Sequence, residues 1–270
     1  LDQTPFYAES GGQVGDTGQI KFHESIFEVQ DTQKKGDHYL HLGFMKSGKL
    51  TLKDEVSAEI DSKERKRIKS NHSGTHLLHA ALREVLGEHV EQKGSLVDQS
   101  KLRFDFTHSK SIETEEITKI ENLINEQILL NSETITEILP IEEAIERGAI
   151  AFFGDKYGDE VRVLNIGDNF SVELCGGTHV SMTGEIELLK ITSESSVSAG
   201  IRRIEAVTGE AANHLLDHLE HIYCSISNEL LIDDFDTREG IEALEYIRFL
   251  ENEMSVFAKL LNCSHDQVLT

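Results

Sequence analysis

The feature that most constrains the fold is a change of hydrophobic period near residue 62. From there to Gly87 the chain reads SKERKRIKSNHSGTHLLHAALREVLG, and its apolar positions recur every three or four residues, which is typical of an amphipathic helix. Gly87 is a common residue at the end of such a helix. His72 and His76 are one helical turn apart, so both imidazoles lie on one face. The pattern predicts a long helix that carries either a buried polar seam or half of a metal site.

Residues 1–60 show a different pattern, in which short alternating or β-branched stretches are separated by polar turns. The stretches GQIKFHESIFEVQDTQ, DHYLHLGFM and DEVSAEID predict strands, and KKGD and KSGK predict the turns between them. Several short strands in one run predict a small N-terminal β barrel over residues 1–60.

Beyond Gly87, strand and helix patterns are mixed, which predicts an α+β domain over residues 61–209. The stretch LRFDFTH alternates as a strand with Leu102, Phe104 and Phe106 on one face. ETEEITKIENLINEQILLN has the period of an amphipathic helix, and EEAIERGAI predicts a short one. The further strands are predicted in VRVLNIG, FSVELCGG, IELLKITSESS and IRRIEAVTG.

Charge is distributed unevenly along the chain. Its 270 residues include 26 Lys and Arg against 49 Asp and Glu, a net charge of −23. The last 62 residues alone carry 13 acids and 3 bases, and they show two helical patterns joined by the linker IDDFDT. We therefore expect residues 210–270 to form a separate acidic helical segment. Such acidity gives no general attraction for nucleic acid, so contact with an RNA would be local.

The number of cysteines and the length of the apolar runs indicate in which cellular compartment the protein is expected. Cys175, Cys224 and Cys263 are too few for a disulfide framework, which favours a reducing compartment such as the cytoplasm. No run of 18 apolar residues occurs, so we expect no transmembrane helix and no membrane partner. The chain opens at Leu1 inside a patterned stretch, which suggests a piece of a longer protein.

The stretch ELCGGTHV is a second candidate half-site, because it brings a thiol and an imidazole close together. His72, His76, Cys175 and His179 form a complete set of three nitrogens and one sulfur, which suits zinc. The alternative is a strand that ends at Cys175, with His179 exposed in the following turn. A zinc protease of the HExxH type needs Glu after the first histidine, and Ser73 stands there instead. The third histidine of the helix, His79, is expected at the surface or behind the ligands.

Three stretches could contact a phosphate backbone. AESGGQVGDTGQ offers backbone N–H groups, although it could equally be a tight turn of the barrel. SKERKRIKSN is the densest basic cluster, although such a run is often only a solvated helix face. SAGIRRIEAVTG adds two arginines that point to opposite sides if this stretch is a strand. The residues predicted to contact RNA are Gly11, Gly12, Gln13, Arg65, Lys66, Arg202 and Arg203.

Five motifs closely resemble, in order and spacing, the editing region of the bacterial alanyl-tRNA synthetase family. They are DQTPFYAESGGQVGD, NHSGTHLLHAALREVLGEHVEQKGSLV, LRFDFTH, ELCGGTHV and AGIRRIEAVTGE, and together they span about residues 1–210. The resemblance implies a small β barrel followed by the α+β editing domain shared by threonyl- and alanyl-tRNA synthetases. It also implies hydrolysis of mischarged Ser-tRNA(Ala) and Gly-tRNA(Ala), with the acceptor end of tRNA(Ala) as partner.

The resemblance further implies roles for particular residues. The family motifs HxxxH and CxxxH fall on His72, His76, Cys175 and His179, which would hold one Zn²⁺ per chain. Two residues that line the family's pocket fall on Thr75 and Gln92. The aminoacylation domain with its ATP site would be absent, so this chain would not charge tRNA. Its C-terminal helices would either pair within one chain or form a homodimer contact.

Two questions about mechanism follow from this assignment. A zinc ion held tightly by four protein groups is structural, so catalysis would need three firm ligands and one exchangeable position. Selection of seryl over alanyl esters requires recognition of one hydroxyl, which the Thr75 hydroxyl could provide. That hydroxyl could instead bond back to a helix carbonyl. The alternatives are a freestanding trans-editing deacylase of the same family and a non-catalytic, zinc-stabilised tRNA-binding module.

Overall fold

The computed structural model describes residues 1–150 and 158–229. The chain divides into two compact units, Leu1–Asn213 and His214–Thr270. The second predicted acidic helix, its linker and the predicted dimer contact lie outside the described residues. The helices are α1 Ser62–Leu86, α2 Thr114–Leu130, α3 Ile141–Glu146 and α4 Gly209–Glu229. The strands are β1 Gly18–Phe22, β2 Ser25–Lys35, β3 His38–Ser47, β4 Ser57–Ile60, β5 Gln92–Val97, β6 Leu102–Thr107, β7 Ile135–Pro140, β8 Glu160–Ile166, β9 Ser171–Leu174, β10 Leu189–Ser198 and β11 Ile201–Thr208.

The strands of residues 1–60 form an antiparallel sheet in the order β3-β2-β1-β4. Its small core contains Phe6, Ile20 and Val29. The predicted closed barrel is not confirmed, because closure would require β3 to pair with β4, and in the described chain each of them is an edge strand. Almost every side chain of β3 is exposed, and the His41 ring of this strand contacts Phe6 of the small core.

The central sheet has the order β10-β11-β6-β5, again antiparallel, and helices α1 and α2 pack against it. The predicted strand face is confirmed, since Leu102, Phe104 and Phe106 of β6 are all fully buried. From α2 the core receives Ile120 and Ile124, as its period predicts. The described part of the chain is therefore α+β, as expected.

Helix α1 is the element that positions the histidines. Asp61 caps its N-terminus, and its side chain accepts hydrogen bonds from the backbone N–H groups of Lys63 and Glu64. Gly87 follows its C-terminus with a φ of +114°, a backbone conformation that favours glycine. Strands of the central and third sheets pack around the middle of α1, so its histidines are buried rather than exposed.

A third sheet, β7-β8-β9, completes the first unit. Strand β9 ends one residue before Cys175, and it packs against α1. Strand β7 is missing from the sequence prediction because most of its side chains are exposed, so its sequence lacks alternation between apolar and polar residues. In the described part of the chain, no helix is long and apolar enough to cross a membrane.

Candidate metal centre

The four predicted ligands meet at one point of the first unit. His72 and His76 come from the middle of α1, while Cys175 and His179 come from the loop that follows β9. One potential ligand atom from each residue lies within 4.8 Å of the others. The three histidines are buried and Cys175 is partly buried. The tertiary structure thus joins two half-sites that are about a hundred residues apart in the chain.

The spacing of the donor atoms fits a tetrahedral zinc site. The Cys175 Sγ atom lies 3.6 Å from His72 Nε2 and 3.3 Å from His179 Nε2. With ordinary zinc–nitrogen and zinc–sulfur bond lengths, tetrahedral geometry places such a pair about 3.5 Å apart. The Nε2 atom of His76 is also buried and has no hydrogen-bond partner among the described residues. The residues present therefore fit a zinc ion.

Each of the three histidines uses its other ring nitrogen to contact an oxygen outside the cluster. This arrangement fixes the ring orientation, because an Nδ1–H that donates outward leaves Nε2 as the ligand atom. The contacts join His72 Nδ1 to Gln13 Oε1 at 2.7 Å, His76 Nδ1 to Glu173 Oε2 at 2.8 Å, and His179 Nδ1 to Ser73 Oγ at 3.3 Å.

The glycine turn after β9 is shaped by its approach to α1. A Cβ atom on Gly177 would clash with the His72 ring and approach Gln13 Oε1 at 2.8 Å. The Gly177 N–H lies 3.4 Å from Cys175 Sγ and donates to it. The guanidinium of Arg162 donates to the carbonyl oxygens of Cys175 and Gly177, at 3.0 and 2.6 Å. The absence of a side chain at Gly177 therefore allows the loop to close on the helix.

The charged groups of the cluster shift one another's pKa values. Burial lowers the pKa of His76, but Glu173 and Cys175 outweigh this effect and raise the pKa to about 10. Burial raises the pKa of the Cys175 thiol, but His76 and hydrogen bonds from His179 and His72 bring that pKa well below its ordinary value. Burial and the neighbouring His72 lower the pKa of His179 to about 3. These pKa shifts favour a thiolate at Cys175, a proton on His76 and a neutral His179 near neutral pH.

Glu173 lies against the cluster and is not among the residues predicted from the sequence. It lies in β9, is only 1% exposed, and its carboxylate contacts both His76 and His79. Burial raises the pKa of Glu173, but the two histidines outweigh it and lower that pKa below its ordinary value. His79 is buried behind the predicted ligands and lies 3.0 Å from Glu173 Oε1 through its Nδ1. An acid between the apolar residues Val172 and Leu174 is the one signal that could have identified Glu173.

A cavity of about 1420 Å³ opens beside the cluster. Thr75 and Gln92 line it together with His72, His76 and Cys175. The Thr75 hydroxyl donates to the carbonyl oxygen of Asn71 at 2.9 Å, which is the back-bonded arrangement considered as its alternative role. The roles of Thr75 and Gln92 toward a substrate remain predictions.

All three arginines that were predicted to contact RNA form ion pairs within the protein. Arg65 pairs with the buried Asp16, and its Nε atom lies 2.7 Å from Asp16 Oδ1. Arg203 makes two hydrogen bonds to Asp105, at 2.7 and 2.8 Å. Arg202 pairs on another side with Glu194. The predicted opposite directions of these two neighbouring arginines are therefore observed, but their ion pairs leave little free charge for RNA.

The remaining predicted RNA contacts differ in accessibility. Gln13 is fully buried, and its side chain bonds to His72 and Thr178, so it supports the cluster and does not face solvent. Gly11 and Gly12 line the cavity. Lys66 is exposed, with its Nζ atom 3.5 Å from Glu187. The burial of Gln13 could not be foreseen, because glutamine in a glycine-rich loop is usually exposed.

Comparison with protein families gives two matches. Residues 161–205 match the family described as the threonyl and alanyl tRNA synthetase second additional domain. This match includes Glu173, Cys175 and His179. Residues 1–64 match the family of class II (A) tRNA synthetases. The two matches thus fall on the N-terminal sheet and on the part that supplies the second half-site.

Curated relatives cover nearly the whole chain. It is 58% identical over 217 residues to an alanine–tRNA ligase of Saccharophagus degradans, which covers 80% of this chain and 25% of that protein. It is 49% identical over 273 residues to an alanine–tRNA ligase of Dechloromonas aromatica, which covers 100% of this chain and 31% of that protein. It is 52% identical over 256 residues to an alanine–tRNA ligase of Coxiella burnetii, which covers 94% of this chain and 29% of that protein. The chain spans between a quarter and a third of the length of these relatives, and it belongs to the alanine–tRNA ligase family.

Proposed function

We propose that this chain is the editing region of an alanyl-tRNA synthetase and hydrolyses mischarged Ser-tRNA(Ala) and Gly-tRNA(Ala) at a zinc site. The observation that carries the proposal is the cluster of three histidine nitrogens and one cysteine sulfur beside a cavity. The match of residues 161–205 to the second additional domain of threonyl and alanyl synthetases supports it. The bond to be broken is the ester between the amino acid and the terminal ribose of the tRNA.

Zinc would be held by His72, His76, Cys175 and His179, and when bound it would supply a Lewis acid for an ester carbonyl or for water. Because a zinc site closed by four protein ligands is structural, we infer that one of the four positions is exchangeable. Gln13, Ser73 and Glu173 each hold one histidine ring by its Nδ1 atom, so they keep the ligands oriented while this position exchanges.

Thr75 would recognise the seryl hydroxyl. Its own hydroxyl donates to the Asn71 carbonyl, which leaves the oxygen lone pairs free to accept a hydrogen bond from the substrate. An alanyl ester lacks that hydroxyl and would leave the polar pocket unsatisfied, which is a strong basis for rejection. Gln92 lines the same cavity and would contact the substrate beside Thr75.

The RNA partner would be the acceptor end of tRNA(Ala), in the cytoplasm. With a net charge of −23, the chain would bind it weakly through a few local contacts. Lys66, Gly11 and Gly12 are accessible candidates for these contacts. Alanine activation, ATP binding and dimer formation would belong to other parts of the synthetase.

The decisive experiment measures deacylation of pre-charged Ser-tRNA(Ala), with Ala-tRNA(Ala) in parallel. We expect rapid loss of the seryl ester alone, and its abolition by Cys175→Ala. Thr75→Phe should block hydrolysis by filling the pocket, whereas Thr75→Ser keeps the hydroxyl and should remain active. Normal activity of Thr75→Phe would exclude the pocket role of Thr75.

A second candidate function is a non-catalytic, zinc-stabilised tRNA-binding module. The observation that favours it is the complete set of four protein donors, which is typical of structural zinc sites. Retention of zinc and tRNA binding without any turnover of Ser-tRNA(Ala) would support this function over the editing hydrolase.

A further inference from the structure

Glu173 connects a predicted zinc ligand to a histidine that is not a ligand. Its Oε2 atom lies 2.8 Å from His76 Nδ1, and its Oε1 atom lies 3.0 Å from His79 Nδ1. The hydroxyl of Ser171 adds a third hydrogen bond, at 3.1 Å to Oε1. All four residues are buried, so these contacts are shielded from water.

The geometry of α1 allows one carboxylate to contact both histidines. His76 and His79 are three residues apart, so they are neighbours on the same face of the helix. Glu173 approaches that face from β9, two residues before Cys175. Strand β9 therefore supplies the group that contacts one predicted ligand, and the loop directly after it supplies another predicted ligand, Cys175.

A buried carboxylate needs interactions that compensate for its lost hydration. Removing a carboxylate from water is unfavourable unless charge and hydrogen bonds compensate. Glu121 of α2 is a comparable buried carboxylate, and it pairs with Lys190 and the backbone N–H of Ile191 instead of with a predicted ligand. Glu173 differs in that its charge is directed at the ring of a predicted ligand.

We propose that Glu173 is a positioning residue for the metal site, and that His79 anchors it. Glu173 accepts the Nδ1–H of His76 and thereby directs His76 Nε2 toward Cys175 and the other donor atoms. His79 holds the second carboxylate oxygen and prevents the side chain from rotating away. This inference rests on the proposed zinc site, but it does not depend on ester hydrolysis.

His79 shows a feature that fits an anchoring role. Its Nε2 atom is buried and has no hydrogen-bond partner among the described residues, while its ring packs against Phe104 with centroids 5.2 Å apart. An unsatisfied buried nitrogen is unfavourable, so an apolar residue would serve the core better at this position. The contact of His79 Nδ1 with Glu173 is the interaction that offsets this cost.

Removal of the contact should weaken zinc binding without preventing folding. Loss of an outer partner of a zinc-bound histidine typically lowers metal affinity about 10- to 100-fold. We expect a loss of this size for Glu173→Gln, because the neutral amide is a weaker acceptor and cannot accept from both histidines at once. We expect a smaller loss, about 3- to 10-fold, for His79→Leu, which leaves the contact with His76 in place.

The test is a competition between the metal-free protein and a chromophoric chelator for Zn²⁺. Wild type, Glu173→Gln, His79→Leu and the matched buried-carboxylate control Glu121→Gln are compared. Urea unfolding of each metal-free protein separates a loss of folding from a loss of the site. Absorption spectra of the Co²⁺-loaded proteins then report on the ligand geometry, which a merely structural carboxylate would not change.

Each outcome has a definite meaning. Lower zinc affinity and an altered Co²⁺ spectrum in Glu173→Gln, with Glu121→Gln unchanged in both, would establish the role of Glu173. Wild-type affinity in both Glu173→Gln and His79→Leu would overturn it while leaving the zinc site intact. If Glu173→Gln does not fold, His79→Leu decides the question by the same two measurements. A wild-type protein that binds no zinc would overturn the metal site and this inference together.

Discussion

At the scale of single residues, the candidate site depends on the two nitrogens of each histidine ring. The Nδ1 atoms of His72, His76 and His179 contact oxygens of Gln13, Glu173 and Ser73, and this leaves Nε2 for the metal. A change of a few tenths of an ångström in one ring would therefore disturb two contacts at once. Gly177 is the position at which such a change is easiest to impose.

Gly177→Ala should disrupt the cluster, whereas Gly176→Ala should not. A methyl group on Gly177 would meet the His72 ring, but no atom of the described residues lies within 4 Å of the corresponding position on Gly176. We expect Gly177→Ala to lower zinc affinity at least tenfold and to reduce the free energy of unfolding by about 1–3 kcal/mol. Chelator competition and urea unfolding measure the two effects, and equal behaviour of both variants would contradict this explanation.

Zinc uptake near neutral pH should release at least one proton per ion, the proton on His76. His76, with its pKa of about 10, is protonated below that pH and must lose a proton to bind the metal. His179 and Cys175 have lowered pKa values, so they already lack the competing proton. Calorimetry in buffers with different ionisation enthalpies measures this number. The release should decrease as the pH rises toward 10, and zinc uptake at pH 7 without proton release would contradict the protonated state of His76.

At the scale of elements, the site depends on how α1 packs against the central sheet. The helix is buried along the turns that carry the histidines, and β6 places Phe104 directly against His79. The same packing contains Phe106, whose ring centroid is 5.9 Å from that of Phe104. The core therefore determines the depth at which His76 and His79 meet Glu173.

Phe104→Ala should destabilise the protein far more than Phe44→Ala. Phe104 is fully buried, so its truncation leaves a cavity and should lower the free energy of unfolding by about 3–5 kcal/mol. Phe44 lies on the edge strand β3 and is 50% exposed. We expect Phe44→Ala to cost less than about 0.5 kcal/mol. Urea unfolding of both variants measures the difference. Similar losses would indicate that β3 is covered in solution.

At the scale of the whole molecule, the negative net charge is unfavourable for the binding of tRNA, the proposed partner. The net charge is −23, and Arg65, Arg202 and Arg203 are paired with acids of the same unit. With this net charge, binding of tRNA should be weak and should decrease with salt. Each phosphate contact contributes about −0.9 to the slope of log affinity against log salt.

Lys66→Ala should reduce the steepness of this salt dependence by about one unit, as expected for one lost phosphate contact. Lys66 is 65% exposed at its side chain, and it lies on α1, which also carries the predicted ligands. Lys21→Ala removes the same charge from the N-terminal sheet, where Lys21 pairs with Glu59, and serves as the control. Fluorescence anisotropy with labelled tRNA(Ala) between 50 and 200 mM salt measures both slopes, spanning the range in which counterion release is resolved. An unchanged slope in Lys66→Ala would exclude this contact.

The sequence by itself determined the local structure and the donor set. The period of α1 and its end at Gly87 follow from short-range interactions that are visible in the chain, whereas its cap at Asp61 was found only in the structure. The pairing of His72 with His76, and of Cys175 with His179, is likewise a matter of short spacing. Burial of alternate residues in β6 follows from the two-residue period of a strand.

Only the tertiary structure decided which distant groups meet. The contacts of Glu173 with His76, of Gln13 with His72 and of Arg203 with Asp105 join residues 97, 59 and 98 positions apart. No local period encodes such contacts, because they depend on the order and register of strands from three sheets. The open N-terminal sheet has the same cause, since strand patterns predict strands but not whether the two edges close. The ligand types could thus be predicted, whereas the groups that orient them depend on packing between distant parts of the chain.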